Sequence, residues 1–494
     1  MSRNTHPLHC QNGVIARLQS RPPFGDLPVK KLLSSLLVLS LTVGPGSAIP
    51  QTDAANVLPQ NVYKQPVAGM NAKQLRLFNE GEKVFTNFWM AVNNPVIPLT
   101  WDLSLPGPAG GEWGLGPMFL ATNCAACHVN AGRGRAFDAS GSLTVQHVLR
   151  LSVPGENEHG GPKPEPHYGT EIQMFDIVTR KDPKARAGEG EVFIDWVTRP
   201  FNFPDGETIE LRAPKVRVEN LNFGALSPDV MMSLRNSQAM VGLGYLEAVS
   251  EKDILAIAAK QKAMGLNGRP NYVRDDILKK TSLGRFGWKA NQPSIRQQIA
   301  DAFHGDMGIT SSLYPDQYCT EVQTECKAAI VGPTELRPEL WDAISFWAMS
   351  LDAPAQRHKD KPEVKRGEEL FNTTGCASCH VSELQTSKSA HLPQMANRKI
   401  RPYTDLLLHD MGPDLADGRP DFKAGGSDWR TPPLWGIGLT KQVNASTSLL
   451  HDGRARSLQE AIVWHGGEAG PARDKFVAMP KAKREDLLAF LNSL

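Results

Sequence analysis

The sequence predicts a mainly α-helical protein built from two related domains, with a small β-rich insertion in its N-terminal half. Three observations lead to this prediction. A six-residue motif occurs at 123–128 and again at 375–380. A second segment also occurs twice, starting at Arg235 and at Arg430, which indicates duplication of one unit. Each half also closes with an apolar helical face, the second of them at the C-terminus.

The repeated motif carries the clearest chemistry in the chain. Each copy has two cysteines and a histidine: Cys124, Cys127 and His128 in the first, and Cys376, Cys379 and His380 in the second. This spacing is the attachment signature of a c-type haem, in which the histidine binds the iron. A single Cys-x-x-Cys could also be a zinc half-site or a redox pair, but two copies with the histidine in register favour haem. The sequence therefore predicts two covalently attached c-type haems.

The composition is that of an ordinary soluble globular chain. Of the 494 residues, 40% are hydrophobic and 21% are charged, and the formal net charge is +2. This balance does not favour binding to nucleic acid or to an anionic membrane surface. We therefore expect neither as a partner.

The N-terminus has the pattern of an export signal. Basic residues precede an apolar run at 32–43, and small residues at 46–48 offer a cleavage site. The run is too short to span a bilayer, and no later segment is apolar enough to do so. We therefore expect a signal peptide at 1–48 and a soluble mature chain in the periplasm.

The remaining cysteines agree with an oxidising compartment. Of the seven cysteines, Cys10 lies in the predicted leader and four belong to the haem motifs. Cys319 and Cys326 are left, and in an exported protein they can form a disulfide that closes a short loop. Two free thiols are the alternative.

The domain organisation follows from the repeats. We expect an extended arm at 49–70, an N-terminal domain at 71–352, a linker at 353–362 and a C-terminal domain at 363–494. Within the first domain, residues 152–225 have the character of an insertion. After a turn-rich loop, segments 171–178, 191–197 and 208–222 alternate apolar and polar side chains at period two, which predicts strands. A helix before the motif and a closing helix at the end are typical of a cytochrome c-like module.

A second ligand for the C-terminal iron can be predicted from the sequence. Residues 457–460 match a capping box, and the helix that follows carries His465 on its last turn. A histidine held in this way is rigidly aimed, so we expect it to bind the second iron opposite His380. Met411 is the competing ligand, and a His465 that only caps its own helix is the structural alternative.

The N-terminal half lacks such a ligand at the matching position. The residue that corresponds to His465 in the duplicated segment is Pro270, which cannot bind iron. The first haem is therefore expected to be the reactive one, since an open position allows an iron to bind peroxide or oxygen. His147, His159 and His167 remain candidates for that position, although the last two lie in a Gly/Pro-rich loop.

Other residues are candidates for the surroundings of the haems. Peroxide cleavage needs a base and then an acid. Glu247 and Gln238, in or just after the duplicated segment, are the candidates, and an exposed helix carboxylate is the alternative for Glu247. Trp288 is a candidate bridge for electrons between the irons, with a core tryptophan as the alternative. Arg454 and Arg430 can pair with haem propionates, or can form ordinary structural ion pairs.

These motifs resemble a known superfamily. Two Cys-x-x-Cys-His units, a His-Asp-Gly-Arg turn and the helix after it resemble the bacterial di-haem cytochrome c peroxidases and the methylamine-utilisation-type enzymes. A closer resemblance is to the family called di-haem oxidoreductase, putative peroxidase, earlier labelled thiol oxidoreductase. The segments that carry the closer resemblance span most of the mature chain: 242–249, 284–290, 306–310, 409–418 and 451–468.

The resemblance implies an α-helical pair of cytochrome c-like domains. It also implies a low-potential N-terminal haem where substrate reacts and a higher-potential C-terminal haem that accepts electrons. A calcium ion between the domains is an option by kinship, although no ligand cluster for it stands out. Two features depart from the peroxidases. His465 falls where they usually place a methionine, and His147 is the nearest candidate for their ligand after the first motif.

The favoured function is an exported oxidoreductase that reduces hydrogen peroxide at the N-terminal haem. Electrons would enter through the C-terminal haem from a small redox protein, a cytochrome c or a cupredoxin. An oxidase acting on an organic, protein or metal-ion substrate is a variant of this hypothesis. A di-haem electron carrier without substrate chemistry is the alternative from another class, and a component of a larger periplasmic system is a third.

Overall fold

The computed structural model describes residues 57–91, 111–137, 141–178, 187–330 and 335–494. The predicted signal peptide and the beginning of the predicted arm lie outside the described residues. Within these ranges, helices alternate along the chain with short strands.

The helices are spread over both halves of the sequence. The described residues contain α1 (Ala72–Thr86), α2 (Cys124–Cys127), α3 (Leu243–Glu247), α4 (Glu251–Ala263), α5 (Ile295–Met307), α6 (Thr324–Ala328), α7 (Pro338–Ser350), α8 (Pro362–Thr374), α9 (Thr440–Asn444), α10 (Leu458–Val463), α11 (Gly470–Ala478) and α12 (Lys481–Ser493).

The strands form one three-stranded sheet and several two-stranded sheets. They are β1 (Trp89–Met90), β2 (Glu112–Trp113), β3 (Met118–Phe119), β4 (His147–Glu156), β5 (Pro162–Lys163), β6 (Phe175–Asp176), β7 (Glu191–Asn202), β8 (Thr208–Glu219), β9 (Met231–Asn236), β10 (Tyr272–Asp275), β11 (Lys280–Leu283), β12 (Leu384–Gln385), β13 (Lys399–Ile400), β14 (Leu408–Asp410) and β15 (Asp428–Arg430). The three-stranded sheet has the order β5-β4-β9.

Two helix pairs frame the haem motifs in the same way. The helix before each motif packs on the closing helix of its half, α1 on α7 and α8 on α12. A glycine lies at each crossing, because a Cβ at Gly81 would fall 2.2 Å from Ala343 O and one at Gly367 would fall 2.0 Å from Asp486 O. The glycine that interrupts the apolar pattern of α1 is therefore a packing requirement, and its twin lies in α8.

The inserted strands are longer than the rest and cross between the halves. β7 and β8 pair over their full length as an antiparallel ribbon. At its turn, Arg484 of α12 donates hydrogen bonds to Asp205 and Glu207. Phe203 of the same turn packs edge-on against Phe476. The ribbon therefore ties the N-terminal half to the C-terminal half.

The predicted fold class is wrong. Of the described residues, 33% are helical and 21% lie in strands or bridges, so the protein is not mainly α-helical. Most of these strands span only two to six residues, too few to produce a recognisable alternation in the sequence. The described residues also belong to one compact unit, which gives no clear evidence of two cytochrome c-like domains. The halves share a core, in which Trp435 of the second half packs edge-on against Tyr245 of the first.

Two smaller features complete the description of the fold. Cys319 and Cys326 are joined by a disulfide, with their Cα atoms 5.8 Å apart. In the described part of the chain, no helix combines the length and apolarity that a bilayer crossing requires.

Candidate haem-binding sites

The first Cys-x-x-Cys-His motif lies at the edge of a cavity of about 220 Å³, termed here the first cavity. The motif forms α2, and Asn123 begins it by accepting a hydrogen bond from Ala126 N at 2.7 Å. Cys124, Cys127 and His128 all line the cavity. Neither thiol is part of a disulfide, so both are available to a ligand in the cavity.

The ring of His128 is oriented by one hydrogen bond. Its Nδ1 lies 2.7 Å from the carbonyl oxygen of Gln238, so Nδ1–H donates to that oxygen. Among the described residues, none hydrogen-bonds its Nε2. Burial lowers the pKa of His128 and keeps the ring neutral, the form that binds a metal through Nε2.

The second motif follows α8 directly. Gly375 ends α8 with a φ of 107°, a left-handed value that favours glycine. Cys376, Cys379 and His380 then line a second cavity of about 380 Å³. Nδ1 of His380 lies 2.9 Å from the carbonyl oxygen of Tyr403. Burial lowers the pKa of His380 to about 4, so this ring is also neutral.

His465 lines the same cavity as His380. Ser457 caps α10 by accepting a hydrogen bond from Glu460 N at 3.1 Å, and His465 lies two residues beyond the end of that helix. Its Nδ1 lies 2.7 Å from the carbonyl oxygen of Ala461. His465 therefore does bond its own helix, yet its Nε2 has no partner within the described ranges.

Met411 and His409 also line the second cavity. Met411 carries a thioether and therefore remains an alternative ligand for the second iron. His409 has no free nitrogen, because Nδ1 lies 3.1 Å from Glu468 and Nε2 lies 2.9 Å from Asp405. Burial alone would lower the pKa of His409, but the hydrogen bonds to Asp405, Cys379 and Glu468, with the charge of Asp405, together outweigh burial and raise that pKa to about 12. A cationic imidazole with a hydrogen bond at each ring nitrogen cannot bind iron.

His409 also belongs to the one metal-ligand-type cluster of the described residues. The cluster consists of Cys379, Asp405 and His409. Calcium prefers six to eight oxygen ligands, and this group offers a single carboxylate beside a thiol and an imidazole. This cluster therefore does not suit the calcium ion that the family resemblance leaves as an option.

Two buried arginines line the second cavity without a carboxylate partner in the described part of the chain. Arg430 donates to two main-chain carbonyls and to Oε1 of Gln238. Arg133 donates to two main-chain carbonyls. Burial lowers the pKa of each guanidinium to about 10, so both stay charged at neutral pH. A buried charge is costly unless an anion pairs with it, and the propionates of a haem are such anions.

The first cavity has the counterpart of this arrangement. Arg235, which matches Arg430 in the duplicated segment, lines it and pairs with Asp421 at 3.1 Å. Its buried Nη2 has no hydrogen-bond partner among the described residues. Arg150 lines the same cavity and pairs with Glu171 at 3.2 Å. Both cavities therefore fit a haem: each offers two thiols, a histidine with a free Nε2, and buried guanidinium groups.

Trp288 lies between the two sites. It lines both cavities, and no other described residue does so. Its Nε1–H donates to the carbonyl oxygen of Asn236 at 2.8 Å. The guanidinium of Arg133 lies 5.2 Å from the centroid of its ring. The indole is therefore held by the hydrogen bond at Nε1 and by the guanidinium over its ring.

Some of the predicted residues lie elsewhere. Glu247 does not line the first cavity: its Oε1 accepts a hydrogen bond from Ile295 N at the start of α5, and its Oε2 lies 3.2 Å from His391. Arg454 lines neither cavity and pairs with the buried Asp452 at 2.7 Å. Both side chains thus have structural explanations.

None of the three other candidate histidines lines the first cavity. His147 is fully buried in β4, where its ring stacks on Phe137 at 3.7 Å. The side chains of His159 and His167 are 44% and 35% exposed and lie near glutamates. In this structure, His128 is therefore the only histidine of the described residues at the first cavity.

Helix α5 supplies a group that the sequence-based reasoning missed. Gln298, Asp301 and Asp306 lie on the face of α5 that lines the first cavity. Oδ1 of Asp306 is buried and has no hydrogen-bond partner among the described residues. Burial, with the nearby charge of Glu171, raises the pKa of Asp306 well above its usual value. Asp306 is the first residue of 306–310, one of the segments that carry the resemblance to the family. This position was the signal in the sequence that could have identified it.

Two cavities that each combine an attachment motif, a neutral histidine and buried arginines define a protein that holds two haems. The family described as "Di-haem oxidoreductase, putative peroxidase" matches residues 103–494, and the chain belongs to this family.

Among solved structures, the chain is similar to hydrazine synthase from Kuenenia stuttgartiensis, in a structure of that enzyme pressurised with 20 bar xenon. The match has 12% sequence identity and a TM-score of 0.33, and it covers 94% of this chain and 100% of that chain. A likeness at this level carries no argument about function. No curated protein matches the chain.

Proposed function

We propose that this di-haem oxidoreductase is an exported c-type peroxidase that reduces hydrogen peroxide at the first cavity. Electrons enter at the second cavity from a small redox protein of the periplasm, a cytochrome c or a cupredoxin. The observation that carries this proposal is the difference in histidine ligands. The second cavity has His380 and His465, both with a free Nε2, whereas His128 is the one histidine of the described residues at the first.

The cofactor would be held by the side chains that line each cavity. The thiols of each motif attach it, the motif histidine binds its iron, and the buried arginines pair with its propionates. When bound, a haem whose iron has one protein ligand would supply the reduction of peroxide. His465 would be a second ligand for the iron of the second cavity, so that site would transfer electrons without binding substrate.

Asp306 is the residue best placed to move protons in the first cavity. Reduction of peroxide to water consumes two protons, so the site needs a group that can take up a proton and release it. Burial raises the pKa of Asp306 well above its usual value, which favours the protonated carboxyl. Glu247, the group expected from the sequence, is engaged at the start of α5. We therefore assign the proton to Asp306.

Trp288 is the proposed path for electrons between the cavities. It lines both of them, and its fixed indole shortens the gap that an electron has to cross.

A di-haem electron carrier is the second candidate, and one observation favours it. Met240 and Met307, which each carry a thioether, line the first cavity. A methionine on the first iron would close the open position, and the protein would then carry electrons without substrate chemistry.

The experiment that tests the proposal is a peroxide assay on the purified exported protein. Mass spectrometry first establishes whether two haems are covalently attached. The protein is then reduced by a cytochrome c, and the consumption of hydrogen peroxide is followed. Turnover that needs both haems supports the proposal. No turnover with a cytochrome c or a cupredoxin, in protein that holds both haems, would refute it in favour of another oxidisable substrate or of a carrier.

A further inference from the structure

Trp464 lies at the end of the short helix α10, directly before His465. The indole is 3% exposed, and its Nε1 is buried without a hydrogen-bond partner among the described residues. Two guanidinium groups lie over the ring: Cζ of Arg454 is 4.6 Å from the ring centroid, and Cζ of Arg199 is 4.7 Å from it. An indole attracts such cations, more strongly where water is excluded. Two arginines therefore hold the residue next to His465.

The two arginines come from distant parts of the chain and meet at Asp414. Arg199 belongs to β7 of the inserted ribbon, and its Nη2 lies 3.0 Å from Oδ2 of Asp414. Arg454 is buried, and its Nη1 donates to the carbonyl oxygen of Asp414 at 2.6 Å. The guanidinium of Arg454 also lies 2.7 Å from Asp452. The ribbon thus reaches the end of α10 through an arginine that is itself ion-paired.

The ribbon also contacts the chain at the start of α10. Nε of Arg212 in β8 donates to the carbonyl oxygen of Arg454 at 3.1 Å. The guanidinium of Arg456 lies 3.6 Å from Glu210 of β8 and 3.0 Å from Glu460 of α10. A helix of six residues is not stable by itself, so its orientation depends on the groups that pack against it. The ribbon supplies such groups at both ends of α10.

We propose that the ribbon β7–β8 positions the second ligand of the second iron, with Trp464 as the positioning residue that connects the ribbon to His465. The imidazole of His465 is bonded to Ala461 of the same short helix, so a shift of α10 moves the ring with it. The inference rests on the part of the proposed function that makes His465 an iron ligand. It gives the insertion a task that a peroxidase and an electron carrier would both need.

The test is the rate at which cyanide replaces His465 on the second iron of the ferric holoprotein. Electron paramagnetic resonance distinguishes an iron with two histidines from its cyanide form. Arg199→Met removes the guanidinium that the ribbon supplies, and Trp464→Leu removes the ring. Arg217→Met is the matched control, because Arg217 is also an exposed ribbon arginine that pairs with an aspartate and lies over an aromatic ring, that of Phe193.

We expect replacement to be about threefold faster in Arg199→Met than in the wild type or its detection limit, since one exposed contact of this kind is lost. In Trp464→Leu both contacts are lost, and we expect a rate about tenfold higher. Arg217→Met should keep the wild-type rate. Before cyanide is added, the first haem of each variant should keep its wild-type spectrum, which a general loss of structure would not allow. If Trp464→Leu does not fold, Trp464→Phe replaces it and should give an intermediate rate.

Three results would overturn the inference. They are a wild-type rate in both Arg199→Met and the Trp464 variant, the same acceleration in Arg217→Met as in Arg199→Met, and a wild-type second iron without His465 as its ligand. Acceleration in the Trp464 variant alone would remove the ribbon from the proposal. A wild-type protein without peroxide turnover would refute the proposed function and leave this measurement intact.

Discussion

His380 and His465 line the same cavity, and each donates its Nδ1–H to a main-chain carbonyl oxygen, at 2.9 and 2.7 Å respectively. The two rings are thus presented in the same tautomer, with Nε2 unbound. In a protein that holds a haem here, the motif histidine needs this tautomer to bind iron, and His465 has it too. Among the described residues, the first cavity has no such pair, because His128 is the one histidine that lines it.

His465→Ala should open the second iron. Because His465 is the proposed closing ligand, its loss should convert the second haem from low spin to high spin without loss of covalently bound haem. Absorption and electron paramagnetic resonance spectra of the ferric protein report the change. His159→Ala, which removes an exposed histidine, is the control. A second haem that stays low spin in His465→Ala and turns high spin in Met411→Leu would assign the ligand to Met411.

Asp306→Asn should slow peroxide turnover. An amide cannot exchange the proton that the carboxyl holds, and the loss of one acid–base group typically costs about 10²–10⁴-fold in rate. Glu247→Gln should stay within a few-fold of wild type, because Glu247 lies at the start of α5 outside the cavity. Steady-state kcat/KM for peroxide compares the two variants at equal haem content. The reverse order of effects would restore Glu247 as the proton-transfer group.

Arg133→Met should lower the midpoint potential of the second haem. Arg133 is a buried cation at that cavity, and its removal favours the more positively charged ferric state. Each tenfold change in the one-electron equilibrium corresponds to about 59 mV, and we expect a change of that order. Arg217→Met, which removes an arginine of the exposed ribbon face, should leave the potential unaltered. Potentiometric titration measures both, and an unchanged or higher potential in Arg133→Met would contradict the assignment.

Lys289→Met should destabilise the fold. Nζ of Lys289 is fully buried and lies 2.8 Å from Oδ1 of the buried Asp417. Removing one partner of a buried pair leaves an unpaired charge and typically costs about 3–5 kcal/mol. Lys423→Met, at an exposed lysine 3.8 Å from Glu156, should change the free energy of unfolding by no more than about 0.5 kcal/mol. Urea denaturation of both holoproteins measures the difference, and equal stabilities would show that the buried pair contributes nothing.

The sequence predicted the local features of the sites well. A motif such as Cys376, Cys379 and His380 fixes its own geometry within one turn, and the capped helix before His465 is equally local. The duplication was also visible in the sequence. Of the two arginines that match between its copies, Arg235 lines the first cavity and Arg430 lines the second.

The features that the sequence did not predict depend on distant contacts. Arg133 follows the first motif but lines the second cavity, which nothing near it in the sequence indicates. Glu247 and Asp306 are both carboxylates on helices, and only tertiary packing turns one toward the start of α5 and the other toward the first cavity. The fold class was wrong for a related reason, since short strands are formed by pairing with remote partners rather than by a local pattern.

The most direct test of the central claim is electron paramagnetic resonance of the ferric holoprotein, recorded with and without cyanide and again after one-electron reduction. We expect a low-spin second haem whose spectrum is unchanged by cyanide, and a first haem with a high-spin component that cyanide converts to low spin. Two low-spin haems that ignore cyanide in both redox states would contradict it, because the iron on His128 would then have no open position.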